Sequence, residues 1–244
     1  MRIKSYGNFG NMNYLYKFKQ NILRNKMEVE MSQVTIKVDN AVKKFDKYTV
    51  LDHVNITCNK GEICGIVGRN GSGKTVLFKS ICGFVKLNEG TITVNGKVMG
   101  KDMKVLKKAG IIIEEPGFLR NKSGMKNLEY LYMINNKRDK KYLRSVMENV
   151  GLDPYSRKKV GKYSLGMRQR LAIAQATMED QDIIILDEPM NGLDNHGVQE
   201  VREYLLQLKK QGKPILIASH NREDIDVLCD KVYEMDNGRV ISEK

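Results

Sequence analysis

A glycine-rich stretch, GRNGSGKT at 68–75, lies between the apolar run EICGIV and a helical pattern. It fits G-x-x-x-x-G-K-[ST] at every fixed position. Glycines let backbone N–H groups curl around phosphates, and the start of the following helix adds positive potential. The motif therefore predicts a nucleoside triphosphate site. Its predicted binding residues are Gly68, Arg69, Asn70, Gly71, Ser72, Gly73, Lys74 and Thr75. Within it, Lys74 is expected to reach the β- and γ-phosphates, and the Thr75 hydroxyl to bind Mg²⁺.

A second stretch, DIIILDEP at 182–189, is a hydrophobic run that ends in two carboxylates. In enzymes with such a phosphate loop, this kind of strand lies beside the loop, so Asp187 is predicted to hold Mg²⁺ through water. Glu188 is placed to orient or deprotonate an attacking water. Many buried strands end in an acid, so the pattern is weak alone. Together with the phosphate loop it becomes specific.

A third apolar run, GIIIEEPGF at 110–118, stops abruptly on Glu114 and Glu115. Two adjacent acids after a strand are ordinarily a solvated end. They would take part in chemistry only if the fold brought them to the phosphate loop. The residue types alone leave both interpretations open.

Two further matches are interpreted as chance. NKRD at 136–139 fits the guanine-reading pattern N-K-x-D, and DNHG at 194–197 fits D-x-x-G. A GTPase places N-K-x-D after a buried strand and after D-x-x-G in the chain. Here the order is reversed, and Asn136 lies between two helical patterns.

The charge of the chain is unevenly distributed. Of the formal +13, residues 1–26 supply +6, from six basic residues and no acid. The remaining body is only moderately basic, so no nucleic-acid partner is predicted. Those first residues differ from the rest in lacking clear periodicity. We expect residues 1–31 to be a basic, poorly ordered or weakly helical extension; an amphipathic surface anchor, or upstream sequence ahead of a start at Met27 or Met31, are the alternatives.

The cysteines favour a reducing environment. Cys58, Cys64, Cys82 and Cys229 show no CxxC or other metal-ligand spacing, and two of them lie in apolar runs. Reduced, cytosolic thiols are therefore expected. No apolar stretch approaches the roughly 18 residues that a membrane-spanning helix needs. We expect a soluble chain that can still dock on a membrane partner.

Strand and helix patterns alternate from residue 32 onward. Strands are predicted at 34–38, 54–58, 62–67, 91–94, 182–186 and 214–218, with a hairpin turn at 95–96. Residues 123–150 change to helical spacing, with Ser123 as a helix cap. This order indicates an α/β fold with a parallel sheet, preceded by antiparallel strands.

The stretch YSLGMRQRLAIAQA at 163–176 resembles the LSGGQ signature of the ATP-binding cassette (ABC) ATPases. It departs from it at Tyr163, Leu165 and Met167, but keeps Ser164, Gly166 and the following Arg-Gln-Arg. Ser164 and Gly166 precede a predicted helix, which implies another helix start that faces a phosphate.

Other motifs of that family follow in order, so the resemblance covers about residues 33–244. Phe45, 29 residues before Lys74, matches the aromatic that stacks on adenine, with Tyr48 as the nearby alternative. Asp194, in NGLD, falls in the family's D-loop. His220, after the run PILIAS, matches the switch histidine that contacts the γ-phosphate and joins Glu188 as a predicted catalytic residue.

The resemblance implies a P-loop NTPase ABC cassette: a RecA-like core, an antiparallel β subdomain and a helical subdomain at about 118–162. It implies ATP and Mg²⁺ as cofactors, and a second cassette, expected as a homodimer, whose Ser164, Gly166, Met167 and Asp194 face the nucleotide. Integral membrane transporter subunits are implied as partners, with the chain on the cytoplasmic face of the cell membrane.

The same resemblance singles out Glu114, which falls where the family carries the Q-loop glutamine. Glu114 is therefore expected on the metal side of the nucleotide, where a carboxylate adds a charge and loses the amide donors. EEPGF together with YSLGMRQRL resembles exporters of antimicrobial peptides and drugs, of the bacitracin and lantibiotic-immunity type. A non-transport ABC ATPase and a nucleotide-sensing module are the alternatives.

Overall fold

The computed structural model describes residues 34–244. The predicted basic extension at 1–31, with its alternative starts, lies outside the described residues. The strands are β1 (Val34–Phe45), β2 (Tyr48–Asn59), β3 (Ile63–Val67), β4 (Glu89–Val94), β5 (Lys97–Val98), β6 (Ala109–Ile112), β7 (Ile183–Asp187), β8 (Ile215–Ala218), β9 (Lys231–Asp236) and β10 (Arg239–Glu243). The helices are α1 (Lys74–Ile81), α2 (Gly124–Tyr132), α3 (Lys140–Asn149), α4 (Leu165–Thr177), α5 (Asn195–Lys210) and α6 (Arg222–Leu228), with a 3-10 helix at Val160–Lys162.

A six-stranded sheet forms the centre of the fold, in the order β10-β9-β3-β8-β7-β6. Its neighbours are parallel except for the antiparallel pair of β9 and β10. The central strands β3, β7 and β8 are short, continuous apolar runs buried almost throughout. Such runs are typical of parallel strands that are covered on both faces.

A second, antiparallel sheet has the order β2-β1-β4-β5. The predicted hairpin turn joins β4 to β5, with positive φ at both Asn95 and Gly96. Positive φ at both central residues is the geometry that favours Asn-Gly in two-residue hairpins. The apolar residues of this sheet share one buried cluster with α1, through Leu77 and Phe78, and with the central sheet.

The segment from 118 to 162 holds α2, α3 and the 3-10 helix. Ser123 caps α2 by accepting a bond from the Lys126 N–H, as predicted. Leu128, Leu143 and Met147 are buried in a second apolar cluster, which extends to α4 and the other face of the central sheet. The predicted α/β fold with antiparallel and helical parts is thus confirmed.

The register of the parallel strands brings their carboxyl ends to one edge. Ile112 of β6 pairs with Leu186 of β7, and Asp187 pairs with Ala218 of β8. In open parallel sheets, ligands bind at this edge because the loops after the strands converge there. Within residues 34–244, the helices are too short or too polar to cross a membrane.

Candidate nucleotide-binding site

The loop at 68–75 joins β3 to α1 at this edge of the sheet. Gly73 stands just before the helix with φ of 105°, and an added Cβ would lie 2.8 Å from the Val50 carbonyl oxygen. Glycine is required there because both the left-handed backbone and the close neighbour exclude a side chain. The Lys74 ammonium, largely buried, donates to the carbonyl oxygens of Gly68 (2.7 Å) and Arg69 (3.1 Å). The cation is thereby held across the loop.

A cavity of about 450 Å³ opens in front of this loop. It is lined by Val50, residues 70–76, Glu114, Asp187 and Glu188. The Ser72 hydroxyl is buried and has no hydrogen-bond partner among the described residues. A buried polar group without a partner costs free energy, so its presence at a phosphate-type loop fits a bound acceptor oxygen. The cavity therefore places the phosphate-type loop, with Lys74, where a nucleotide phosphate chain would bind.

Thr75 and Asp187 both line this cavity and contact each other. The Thr75 hydroxyl, in the first turn of α1, donates to Asp187 Oδ2 over 2.8 Å. Asp187 is the last residue of β7, so the contact joins two elements far apart in sequence. Hydroxyl and carboxylate oxygens are ligands that Mg²⁺ prefers, directly or through water. The donor set fits the Mg²⁺ predicted from sequence, which would screen the phosphate charge.

Glu188 and His220 contact each other beside the cavity. Their Oε2 and Nδ1 atoms are 2.8 Å apart. Glu188 follows β7 with φ of 51°, a left-handed conformation uncommon for non-glycine residues and often found at functional sites. Its backbone N–H donates to the Ala218 carbonyl, which ties this turn to the end of β8.

The segment that carries His220 is fixed by its neighbours. Asn221 caps α6 by accepting a bond from the Glu223 N–H (2.9 Å), and its own N–H donates to the Ser219 hydroxyl. That hydroxyl donates to Asp224, which forms a buried ion pair with Arg202 of α5. The chain of contacts holds the histidine segment against the sheet.

Glu114 is brought into the cavity, and Glu115 is not among its lining residues. Glu114 has φ of 64°, again left-handed, and its Oε1 lies 2.6 Å from the Lys79 ammonium of α1. Both acids of the pair are exposed, but Glu114 lines the cavity and Glu115 does not. Sequence reasoning missed Lys79. The signal was its position four residues after Thr75, on the same side of α1.

The signature-like stretch forms the start of α4, outside the lining of this cavity. Ser164 is exposed and caps α4 by accepting a bond from the Met167 N–H. A Cβ on Gly166 would lie 2.7 Å from the Gly192 carbonyl oxygen, so glycine permits close approach of the two segments. Met167 packs against the core through its partly buried side chain. Farther along α4, Gln169 donates to the Glu188 carbonyl and links the helix to the site.

The remaining predicted residues have other neighbours in this chain. Asp194 caps α5 by accepting a bond from the Gly197 N–H, which also explains the chance D-x-x-G match. Phe45 is 44% exposed with the Lys43 ammonium 4.6 Å from its ring centre, and Tyr48 is 67% exposed. Neither aromatic lines the cavity, so adenine stacking stays a prediction.

The other chance match, NKRD, serves the helical segment. Asp139 caps α3 by accepting a bond from the Tyr142 N–H, and Arg138 pairs with buried Glu129 of α2. Arg138 and Asp139 therefore stabilise the helical segment.

The fold brings together two cysteines and a glutamate that their spacing in the sequence did not suggest. Cys58, Glu62 and Cys64 have ligand atoms within 4.8 Å of one another, because the turn between β2 and β3 folds them together. Both thiols are buried, and the Glu62 carboxylate already accepts two bonds from Asn59. The contact with Cys64, together with burial, raises the pKa of Cys58. We interpret the pair as packed core thiols.

Comparison with known proteins agrees with this geometry. A family model described as "ABC transporter" matches residues 51–191. The chain is 44% identical over 205 residues to the uncharacterized ABC transporter ATP-binding protein YybJ of Bacillus subtilis, covering 84% of this chain and 94% of that protein. It is 37% identical to the bacitracin transport ATP-binding protein BcrA of Enterococcus faecalis, covering 86% and 69%. It is 34% identical to the lantibiotic transport ATP-binding protein SrtF of Streptococcus pyogenes, covering 86% and 90%.

Solved structures give the same result. The cbiO1 subunit from Clostridium perfringens, part of an ABC transporter complex, superposes with a TM-score of 0.75 at 28% identity, covering 86% of this chain and 88% of that one. The predicted α/β cassette, the phosphate loop at the sheet edge and the family match all agree. The chain belongs to the ABC transporter family, as an ATP-binding subunit.

Proposed function

We propose that this chain hydrolyses ATP to energise a membrane transporter that exports antimicrobial peptides or drugs. The observation that carries the hydrolysis is the contact of Glu188 with His220 beside a phosphate-type cavity. A binding module without turnover would have no need of a carboxylate and an imidazole held together at that place. Two relatives named for bacitracin and lantibiotic transport support the class of cargo.

In the proposed reaction, water attacks the γ-phosphorus and the bond to the bridging oxygen breaks, releasing ADP and phosphate. Glu188 orients the water and accepts its proton, while His220 holds the carboxylate in place through the 2.8 Å contact. Lys74 would neutralise charge on the phosphates. Thr75 and Asp187 would hold Mg²⁺, which screens the charge on the transferred group.

The proposed active form is a pair of cassettes, expected as a homodimer. Ser164 and Gly166 stand at a helix start that lies outside the cavity of their own chain. Helix starts offer N–H groups and positive potential to anions, so a phosphate bound by a second cassette would satisfy them. Met167 and Asp194 lie near this helix start and the adjoining loop. Closure on ATP and opening after hydrolysis would then be two states of one dimer.

The proposed partner of the dimer is a set of integral membrane subunits. The chain would sit on the cytoplasmic face of the cell membrane, and its helical segment would pass the closing motion to them. Peptide selectivity would reside in those subunits. An adjacent reading frame with about six hydrophobic spans, each long enough for a bilayer, would supply them.

The test is phosphate release by the complex assembled with those membrane subunits. Glu188→Gln should lower the rate at saturating MgATP by at least ~100-fold, because it removes the acceptor for the water proton. Glu115→Gln, an exposed acid outside the cavity lining, is the matched control and should stay near wild type. Equal and negligible rates for wild type and Glu188→Gln would overturn the proposal.

The class of cargo has its own measurement. Cells that express the complex should survive higher concentrations of bacitracin or a lantibiotic than cells that express the Glu188→Gln complex. If the active complex hydrolyses ATP but protects against neither peptide, the cargo assignment is wrong and the ATPase assignment stands.

A further inference from the structure

We propose that Lys79 is a positioning residue for Glu114: it holds this carboxylate and cancels its charge, so that the cavity can accept a triphosphate. The inference rests on the proposed function, since it concerns the same site. It begins from the 2.6 Å contact between Lys79 Nζ and Glu114 Oε1.

The placement of Lys79 follows from the helix and the sheet together. Thr75 and Lys79 are four residues apart on α1 and therefore share one face. Thr75 contacts Asp187 at the end of β7, and Lys79 contacts Glu114 just after β6. Because β6 and β7 are neighbouring parallel strands, one face of α1 serves two adjacent strand ends.

The charge of the cavity explains why such a partner is needed. The lining residues include one lysine, Lys74, and three carboxylates, Glu114, Asp187 and Glu188. A nucleoside triphosphate brings further negative charge to this place. Lys79 is 31% exposed and Glu114 is 66% exposed, so solvent and salt partly screen the attraction between them. The positive charge of Lys79 offsets the negative charge of Glu114, which a glutamine at that position would not carry.

The backbone supports a held position for Glu114. Its φ of 64° is a left-handed conformation, which is strained for a non-glycine residue and persists only where the surrounding structure maintains it. Among the described residues, Lys79 is the basic residue that forms an ion pair with Glu114. Losing Lys79 would leave a free negative charge in front of the phosphate loop.

The inference predicts a dependence between two residues. Lys79→Met should weaken MgATP binding to the full chain by about fivefold, the upper range for an exposed ion pair. In a Glu114→Gln background, Lys79→Met should have almost no effect, because there is no carboxylate left to neutralise. Lys79→Arg should bind MgATP about as tightly as wild type, since it keeps the positive charge. Lys86→Met, at an exposed lysine beyond α1, is the matched control.

The experiment measures the affinity of each variant for MgATP by titration calorimetry, at low salt and again at high salt. The loss caused by Lys79→Met should shrink at high salt because the effect is electrostatic. A purely structural role for Lys79 would cost the same in both backgrounds and at both salt concentrations. Either of those results would overturn the inference.

Two further outcomes are separable. If wild type binds MgATP but Lys79→Met binds it equally well, the inference fails and the proposed function stands. If no variant supports phosphate release in the assembled complex, the proposed function fails instead. Should Lys79→Met not fold, Lys79→Gln in the two backgrounds gives the same comparison.

Discussion

At the scale of single residues, the site is a set of polar contacts around a loop of glycines. Lys74 is held by loop carbonyl oxygens, Thr75 by Asp187, and Glu188 by His220. Each of these pairs joins a residue in or after one strand to a residue of another element. The chemistry therefore depends on a register of strands that sets distances of about 3 Å between side-chain atoms.

Asp187 gives the prediction that isolates the metal. Asp187→Asn keeps the size of the side chain and can still accept the bond from Thr75, but it loses the negative charge. We expect affinity for MgATP to fall about tenfold, because outer-shell carboxylates support metal binding to that extent. Affinity for ATP in excess EDTA should stay close to wild type. An equal loss with and without Mg²⁺ would contradict a metal role.

At the scale of elements, a buried glutamate joins α2 to the turn before α3. Glu129 is almost fully buried and its carboxylate contacts the Lys126 ammonium at 2.8 Å and the Arg138 guanidinium. Burial by itself raises the pKa of Glu129, but the bonds from Lys126 and Arg138 outweigh it and leave this pKa below its ordinary value of 4.5. The ionised form is thus favoured by folding.

The sign of the pH dependence follows from that lowered pKa. The stabilisation is present above the ordinary pKa and is lost as pH falls through the lower folded-state pKa. Glu129→Gln should therefore reduce the free energy of unfolding by about 2 kcal/mol at pH 7. The difference from wild type should shrink as the pH drops below 4.5.

Urea unfolding at several pH values measures this difference. Glu148→Gln, an exposed acid on α3, is the control and should change stability little at any pH. A loss for Glu129→Gln that does not vary with pH would mean that packing, and not the charge, is what the glutamate contributes.

At the scale of the whole molecule, the signature helix start lies away from the cavity of its own chain. Ser164 is exposed and stands outside the cavity of its own chain. In the proposed dimer it would meet the nucleotide of the other cassette. Glu188→Gln should slow hydrolysis and so preserve that state, giving ATP-dependent dimers in sedimentation velocity.

Ser164→Arg tests this assignment in the Glu188→Gln background. We expect the added side chain to block dimers in ATP while leaving the ATP affinity of the monomer unchanged, since the residue does not line that cavity. Ser145→Arg, on the exposed side of α3, should dimerise normally. Unaltered dimers with Ser164→Arg would place the interface elsewhere.

The sequence by itself determined the parts whose meaning is local. The phosphate loop and the Ser123 cap were predicted because each depends on neighbours within a few residues. The acidic strand end at Asp187 and Glu188 became a specific prediction only together with the phosphate loop. The strand boundaries were less well predicted: β1 and β2 extend well beyond the runs at 34–38 and 54–58. Their outer parts alternate poorly, and pairing within the antiparallel sheet decides their length.

Only the tertiary structure decided which lysine contacts the acid after β6 that lines the cavity. The resemblance had already singled out Glu114 by its Q-loop position, but Lys79 is 35 residues away from its partner. The backbone turn at Glu114 and the pairing of β6 with β7 bring one acid to α1. Likewise, the turn after β2 brings Cys58 and Cys64 together although their spacing carries no metal signal. Side-chain contacts between distant segments depend on strand order and register, which residue spacing does not encode.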